Sequence, residues 1–357
     1  MYRYYEEATK CLVYLNDFEG SSKPYDENES SELHDENESS KSHDEKESLE
    51  SYDFSKVEWF TRGWTLQELI APKKVIFYNK DWKKFGKRSE DSVAKAICKV
   101  TKIPIEVLNG GKPHYKYSVA QIMSWAANRK TTRGEDMSYS LFGLFDVNLT
   151  PIYGEGARKA FLRLQEAIMS STNDMSLFAW KSTDTKEEFR GALARSPKEF
   201  GHAGELFHKR FLGPNPEFSM TNRGLKIKPL LSKRPDGTYF LPLNCADTKE
   251  DSEQSLGIIL YKQRENDELY RYKPENLSFF DRTIFTHDYE FWLKQSDTPI
   301  YIVRDERHLK ATSRKRSPSE FSREEDLRGY STPRRAAHDQ MVSLSTQKSI
   351  SKRRVKT

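Results

Sequence analysis

Trp64-Thr65-Leu66-Gln67-Glu68-Leu69-Ile70, then Ala71-Pro72, then Lys74-Val75-Ile76-Phe77-Tyr78, is the stretch from which the fold can be read. The first seven residues favour a short helix, and Pro72 stops it because proline disfavours helix at the residue before it. The run that follows is apolar, β-branched and aromatic, and Asn79-Lys80-Asp81 closes it, as expected of a strand. A helix feeding a strand through a short connection is the unit of α/β architecture.

Upstream, Tyr2, Tyr5 and Ala8 fall at helical spacing, and Cys11-Leu12-Val13-Tyr14-Leu15 is a continuous apolar run that suits a buried parallel strand. Such a strand needs neighbours on both sides, so the sheet is expected to be incomplete, with its opening strand upstream of Met1. Between the two strands a repeat of nine residues begins at Tyr25, His34 and His43. Each copy is acidic and serine-rich and lacks the apolar stripe that a stacking repeat needs. Residues 20–56 are therefore expected to be a disordered insert. Its His-Asp-Glu pattern is at most a weak metal chelator.

Downstream, Ser92–Thr101, Ser118–Asn128, Met137–Phe145 and Gly156–Met169 carry helical patterning, giving the sheet a helical extension. Beyond Trp180 the period changes to two. Gly224–Lys228, Thr238–Leu241, Leu256–Tyr261, Tyr270–Tyr272 and Ile300–Val303, with a turn at Arg234-Pro235-Asp236-Gly237, predict a small antiparallel β domain. From 306 onward the chain is charged, serine-rich and aperiodic, so disorder is expected. The domains are thus 1–180, 181–305 and a basic tail, 306–357.

Composition narrows the function classes. The net charge of +5 is small for 357 residues and does not by itself imply nucleic acid. The positive charge gathers late, in Arg314-Lys315-Arg316, Arg334-Arg335 and Lys352-Arg353-Arg354, where it reads as a solvated linker or as a nuclear signal. Three dispersed cysteines, Cys11, Cys98 and Cys245, with no CxxC pair, argue against a disulfide framework or a zinc site. No apolar run is long enough to span a membrane, and Met1–Glu7 has no signal-peptide character. A cytoplasmic protein is expected, with the tail offering a route to the nucleus.

Three ordered blocks carry a family likeness. They are Trp59-Phe60-Thr61-Arg62-Gly63-Trp64-Thr65-Leu66-Gln67-Glu68-Leu69; then Arg129–Asp136 with Tyr139-Ser140-Leu141-Phe142-Gly143-Leu144-Phe145; then Pro151-Ile152-Tyr153-Gly154-Glu155-Gly156 with Ala160–Gln165 and Ser176-Leu177-Phe178-Ala179-Trp180. Together they resemble fungal HET (heterokaryon incompatibility) domain proteins, and the region from about 190 to 280 looks like the β-rich accessory domain that often follows. The likeness covers roughly two thirds of the chain. Family members begin with a strand and an Asp/Cys-rich segment that are absent here, which implies an N-terminally truncated, catalytically impaired copy. The implied role is non-self recognition and cell death through contacts with other proteins, self-association included, with no part for membrane or nucleic acid.

The HET fold is held to be similar to the TIR domain, so the resemblance implies an incomplete TIR-like, flavodoxin-like parallel sheet. Several TIR domains cleave NAD at the nicotinamide–ribose bond, using a glutamate in a Trp-x-x-x-Glu-Leu helix just before a strand. Trp64, Glu68 and Leu69 match that pattern and make Glu68 the candidate catalytic carboxylate, with NAD as substrate rather than resident cofactor. A fixed carboxylate can stabilise the positive charge that develops on ribose as the bond breaks. The alternative is a solvated or ion-paired helix residue near Arg62, Lys73 and Lys74. Trp59 and Trp64 are candidate stacking faces for the nicotinamide or adenine ring, with core packing as the competing and favoured use.

Elsewhere the chemistry is thin. Gly154-Glu155-Gly156 before a helix reads as a tight turn rather than a phosphate cradle, since no Lys-Ser/Thr follows. Arg129, Arg133, Glu135 and Asp136 read as an ion-paired, helix-capping joint. No metal-ligand spacing and no nucleophile elbow appear, and His202 and His208 read as ordinary surface histidines.

Overall fold

The computed structural model describes residues 2–20, 52–208, 215–247, 254–263, 268–281, 294–295 and 299–304. The nine-residue repeat and the basic tail lie outside the described residues.

The first half holds α1 (Tyr2–Glu7), β1 (Cys11–Tyr14), α2 (Thr65–Ile70), β2 (Val75–Tyr78), β3 (Lys84–Lys87), α3 (Asp91–Thr101), α4 (Ile105–Leu108), α5 (Val119–Ala126), α6 (Asp136–Tyr139) and α7 (Ala157–Ser171). β1 and β2 pair in parallel, with Cys11 opposite Val75 and Tyr14 opposite Tyr78. β3 closes the other side of β2 in antiparallel fashion, so the sheet is mixed. Lys84-Phe85-Gly86-Lys87 is too short and too charged to read as a strand from pattern alone.

β1 departs from the expectation of a strand buried on both faces. Val13 and Leu15 are buried, but Leu12 and Tyr14 on the opposite face are exposed, and β1 forms the border of the sheet. Residues 52–56, which fall within the expected insert, are structured. Phe54 is fully buried, and its ring lies against Phe18 and Phe60 at centroid distances of 5.1 and 5.0 Å. Tyr52 joins the same aromatic group, which covers the inner face of the sheet through Phe77 and Phe85.

Helices form where the patterning places them. α5 opens on a capping box: Ser118 Oγ accepts from the Gln121 amide at 3.2 Å, and Gln121 Oε1 accepts from the Ser118 amide at 3.1 Å. All of its residues are buried, which makes it the central helix. The helix expected over Met137–Phe145 is shorter. After Tyr139 the chain continues in i→i+3 turns, with Leu141 bonding back to Ser138 and Leu144 to Leu141.

The second half holds β4 (Phe189–Arg190), β5 (Phe207–His208), β6 (Phe218–Thr221), β7 (Gly224–Ile227), β8 (Leu230–Lys233), β9 (Tyr239–Ala246), β10 (Gln254–Lys262), β11 (Leu269–Tyr272), β12 (Ser278–Asp281), β13 (Lys294–Gln295) and β14 (Ile300–Ile302). They form a curled sheet of order β13-β8-β9-β10-β11-β14-β7-β6, with β12 also on β10, β4 on β11 and β5 on β9. The pairing is antiparallel except for β11 with β14. The expected turn at Arg234–Gly237 joins β8 to β9, with Gly237 at φ +82°.

Trp180 joins the two halves. Two fully buried arginines lie against its indole, with the Arg271 guanidinium 3.8 Å and the Arg190 guanidinium 4.6 Å from the ring centre. The indole N–H donates to the Ala192 carbonyl at 2.9 Å. Arg190 pairs with buried Glu199 at 2.9 Å, and Arg271 donates to the carbonyls of Phe178 and Trp180. Burial pushes the Arg271 pKa down to about 9, against the pull of Glu199. Buried side chains from Val13 to Ile302 make one continuous core.

Candidate functional site around Glu68

Short-range chemistry sets α2. Thr65 Oγ1 donates to the carbonyls of Trp59 and Arg62 at 2.6 and 2.8 Å, folding the chain back before the helix begins. At the far end Arg88 donates to the carbonyls of Leu69 and Ile70 at 2.5 and 3.2 Å, satisfying groups that a helix terminus leaves open. Glu68 sits between these anchors, half-buried.

Its partner comes from α1. The Tyr5 hydroxyl donates to Glu68 Oε1 at 3.2 Å. Burial, then the charge and hydrogen bond of Glu68, push the Tyr5 hydroxyl up to about 12. Burial also raises the Cys11 thiol, with Glu68 adding to the shift and Arg88 opposing it. On the other side Arg129 is buried, donating to Trp125 and Arg62 carbonyls at 3.1 and 2.8 Å and to Thr65 Oγ1 at 2.9 Å. Burial brings its pKa down to about 9, while Glu68 pulls it upward. Glu68 is therefore a carboxylate bonded to a phenol, with a thiol and a buried guanidinium within reach of its charge. It can hold a hydroxyl or stabilise nearby positive charge.

The two tryptophans are placed differently. Trp59 packs edge-on to Phe60 and Phe77, at 5.1 and 6.0 Å, as part of the aromatic core. Trp64 is half-buried at the helix start, where its carbonyl accepts the Gln67 amide at 3.2 Å.

The motif blocks meet through the backbone. Lys130 N–H donates to Thr61 O at 2.6 Å, Gly63 N–H to Lys130 O at 2.8 Å, and the Gln67 amide side chain to Ser140 O at 2.6 Å. Gly63 is held so close to Thr131 that a Cβ there would collide with it. The Gly154–Gly156 turn is already occupied: both amides donate to Glu135 Oε1 at 3.1 Å. A bond from its own backbone amide, then those from Gly156 and Gly154, holds the Glu135 carboxyl below its usual range. Arg133 lies 4.5 Å from the centre of the Tyr153 ring, and Tyr153 donates to Asp136 at 3.0 Å. The expected joint is thus a hydrogen-bonded one, with Arg129 separately engaged in the core.

Sequence reasoning missed Tyr5 and Arg129 as neighbours of Glu68. Local spacing pointed to Arg62, Lys73 and Lys74, and nothing local marks a partner 63 positions away. A surface groove of about 960 Å³ lies elsewhere, between Ser170–Asn173 at the end of α7 and Phe218, Lys226 and Lys228. Among the described residues no group of His, Cys, Asp and Glu is arranged to hold a metal ion, and no helix is long and apolar enough to cross a membrane.

Residues 159–216 match a family described as a domain of unknown function, DUF8212. That span holds most of α7, Trp180, Arg190 and Glu199. No solved structure matches the chain. Over 188 residues, 53% of the chain, the sequence is 41% identical to the vegetative incompatibility protein HET-E-1 of Podospora anserina. The chain spans 12% of that protein's length. Over just over half of its residues, then, this chain is similar to part of a fungal vegetative incompatibility protein.

Proposed function

We propose that the chain is a fungal heterokaryon (vegetative) incompatibility module, acting in non-self recognition and cell death through contacts with other proteins. The observation that carries this reading is the 41% identity to HET-E-1. The knitting of the three motif blocks supports it, by backbone bonds between Gly63 and Lys130, the Gln67 side chain on Ser140 and the Glu135 carboxylate on Gly154 and Gly156, since these blocks then serve a fixed scaffold. In this reading residues 1–180 form a HET-type, TIR-like domain, residues 181–305 its accessory domain, and the protein works in the cytoplasm. The test is a heterokaryon assay. Strains that express or lack the chain are fused with a panel of tester strains, and survival of the fusion cells is scored. A tester that kills only the expressing strain is the expected result; equal survival across the panel would end the reading.

A second reading is NAD cleavage with Glu68 as the catalytic carboxylate. A half-buried carboxylate held by the Tyr5 hydroxyl, just ahead of β2, favours it. Water would add to the ribose carbon as the bond to nicotinamide breaks, the bonding pair leaving with nicotinamide and one water proton passing to solvent, and Glu68 would stabilise the charge between. NAD turnover by the purified protein, set against Glu68→Gln, decides it. Equal background rates would remove the enzyme reading.

A further inference from the structure

We propose that the outer face of β6, β7 and β14, with the groove beside it, is a docking surface for an acidic, extended segment of a partner protein. This deepens, and rests on, the reading of a module that acts through protein contacts.

Strand pairing gives this part of the curled sheet two unlike faces. Phe218, Ile227 and Ile300 align across the three strands, and so do Met220, Leu225 and Ile302. These two rows turn inward: Leu225, Ile227 and Ile302 are buried, and the Phe218 ring lies 5.2 Å from that of Phe178. Between them Ser219, Lys226 and Tyr301 align on the opposite face, because side chains alternate along a strand. Lys228 follows at the end of β7. Both lysines are exposed, and both line the groove of about 960 Å³.

Arg223 adds a third cation. Its guanidinium lies 4.0 Å from the centre of the Tyr301 ring. The turn that carries it is fixed: Thr221 Oγ1 donates to the Gly224 carbonyl at 2.8 Å and accepts from the Arg223 N–H at 3.2 Å. Gly224 stands at φ +114°, and a Cβ there would collide with the Ile302 carbonyl, so only glycine fits. Among the described residues no ion pair neutralises Arg223, Lys226 or Lys228. The described residues that line the groove include a single carboxylate, Glu217.

The spacing of the charges selects the partner. From Arg223 to Lys228 the strand covers roughly 15 Å, at about 3.3 Å per residue. Cations spread over that length match several carboxylates on an extended chain better than one compact anion. Phe218 and Ile227 also line the groove, so a peptide finds apolar contact there as well. Single-stranded nucleic acid needs aromatic faces for its bases. The outward row holds one such ring, Tyr301, and Arg223 lies over it. Exposed charge pairs are individually weak and screened by salt, so docking depends on the cations acting together.

The experiment is fluorescence anisotropy of a labelled poly-glutamate peptide titrated with the 357-residue chain. The expected result is saturable binding that weakens as salt is raised. In Lys226→Glu/Lys228→Glu, with wild-type near-ultraviolet circular dichroism, the affinity should fall at least about tenfold. If that variant fails to fold, Arg223→Ala/Lys226→Ala decides, with a smaller loss expected. The cations of residues 306–357 are the same in every variant, so binding that these substitutions leave unchanged would overturn the proposal. Absence of binding to the wild type would also overturn it, as would tighter binding of a single-stranded RNA of equal charge that is lost in the same variants. A wild-type chain that kills no tester in the fusion panel would end the incompatibility reading alone, and the peptide titration would still decide this one.

Discussion

The Tyr5 hydroxyl donates to Glu68 Oε1 at 3.2 Å, which ties α1 to α2 and makes the candidate carboxylate a structural partner as well. The Tyr2 and Tyr5 hydroxyls are both pushed up to about 12, chiefly by burial. In the unfolded chain they ionise near pH 10. Their contribution to stability is therefore complete below about pH 10 and is lost as pH rises toward about 12. Urea midpoints measured across that window should fall for the wild type. Tyr5→Phe, which cannot ionise, should show a shallower fall.

Glu68 also bears on Cys11, whose thiol is raised by burial and further by that carboxylate. The thiolate is the reactive form, so Cys11 should alkylate slowly near neutral pH. Glu68→Gln removes one source of the shift and should speed labelling at Cys11. The Cys98 thiol is raised by burial, with Lys102 opposing and Glu106 and Glu205 adding, so Glu68→Gln should leave its rate unchanged, and Cys245, fully buried with its thiol raised by that burial, should stay protected until the protein unfolds. Mass spectrometry of the alkylated peptides reads all three rates.

Trp180 fills the joint between the helical and β-rich halves while two guanidiniums lie against its ring. Trp180→Ala leaves a cavity and two buried cations without their aromatic face. The expected loss is about 3–5 kcal/mol, seen as a lower denaturant midpoint. A change below about 0.5 kcal/mol, the range of ordinary surface substitutions, would contradict this placement.

Gly156 precedes α7 at φ +86°, and a Cβ there meets nothing within 4 Å. At φ +86° and ψ 147°, a region open essentially to glycine alone, Gly156→Ala should cost the backbone strain, about 1–3 kcal/mol. Because the Gly154 and Gly156 amides are bound to Glu135, inorganic phosphate should not raise the melting temperature.

Much of the architecture was legible because periodicity reports burial. α3, α5 and α7 lie within a residue or two of their patterned stretches, and the strand run Val75–Tyr78 is placed as read. The readings that missed share a cause, which is long-range packing. Tyr52 and Phe54 look like the end of a polar insert until Phe18 and Phe85 are seen against them. β3, β4 and β5 are too short to show a period, and their pairing comes from the strand alongside. β1 reads as buried on both faces because its five residues are all apolar, yet Leu12 and Tyr14 are exposed. At the candidate site, Glu68 was legible from its helix, whereas Tyr5 and Arg129 reach it only through the fold.

The most direct test of the central claim is survival of fused fungal cells when the chain carries Glu68→Gln. If the chain acts through protein contacts, this near-isosteric change leaves the incompatibility reaction as strong as in the wild type, with NAD levels unchanged in both. Loss of the reaction together with loss of NAD consumption, in a variant that is folded and equally abundant, would contradict the account and transfer the function to the carboxylate.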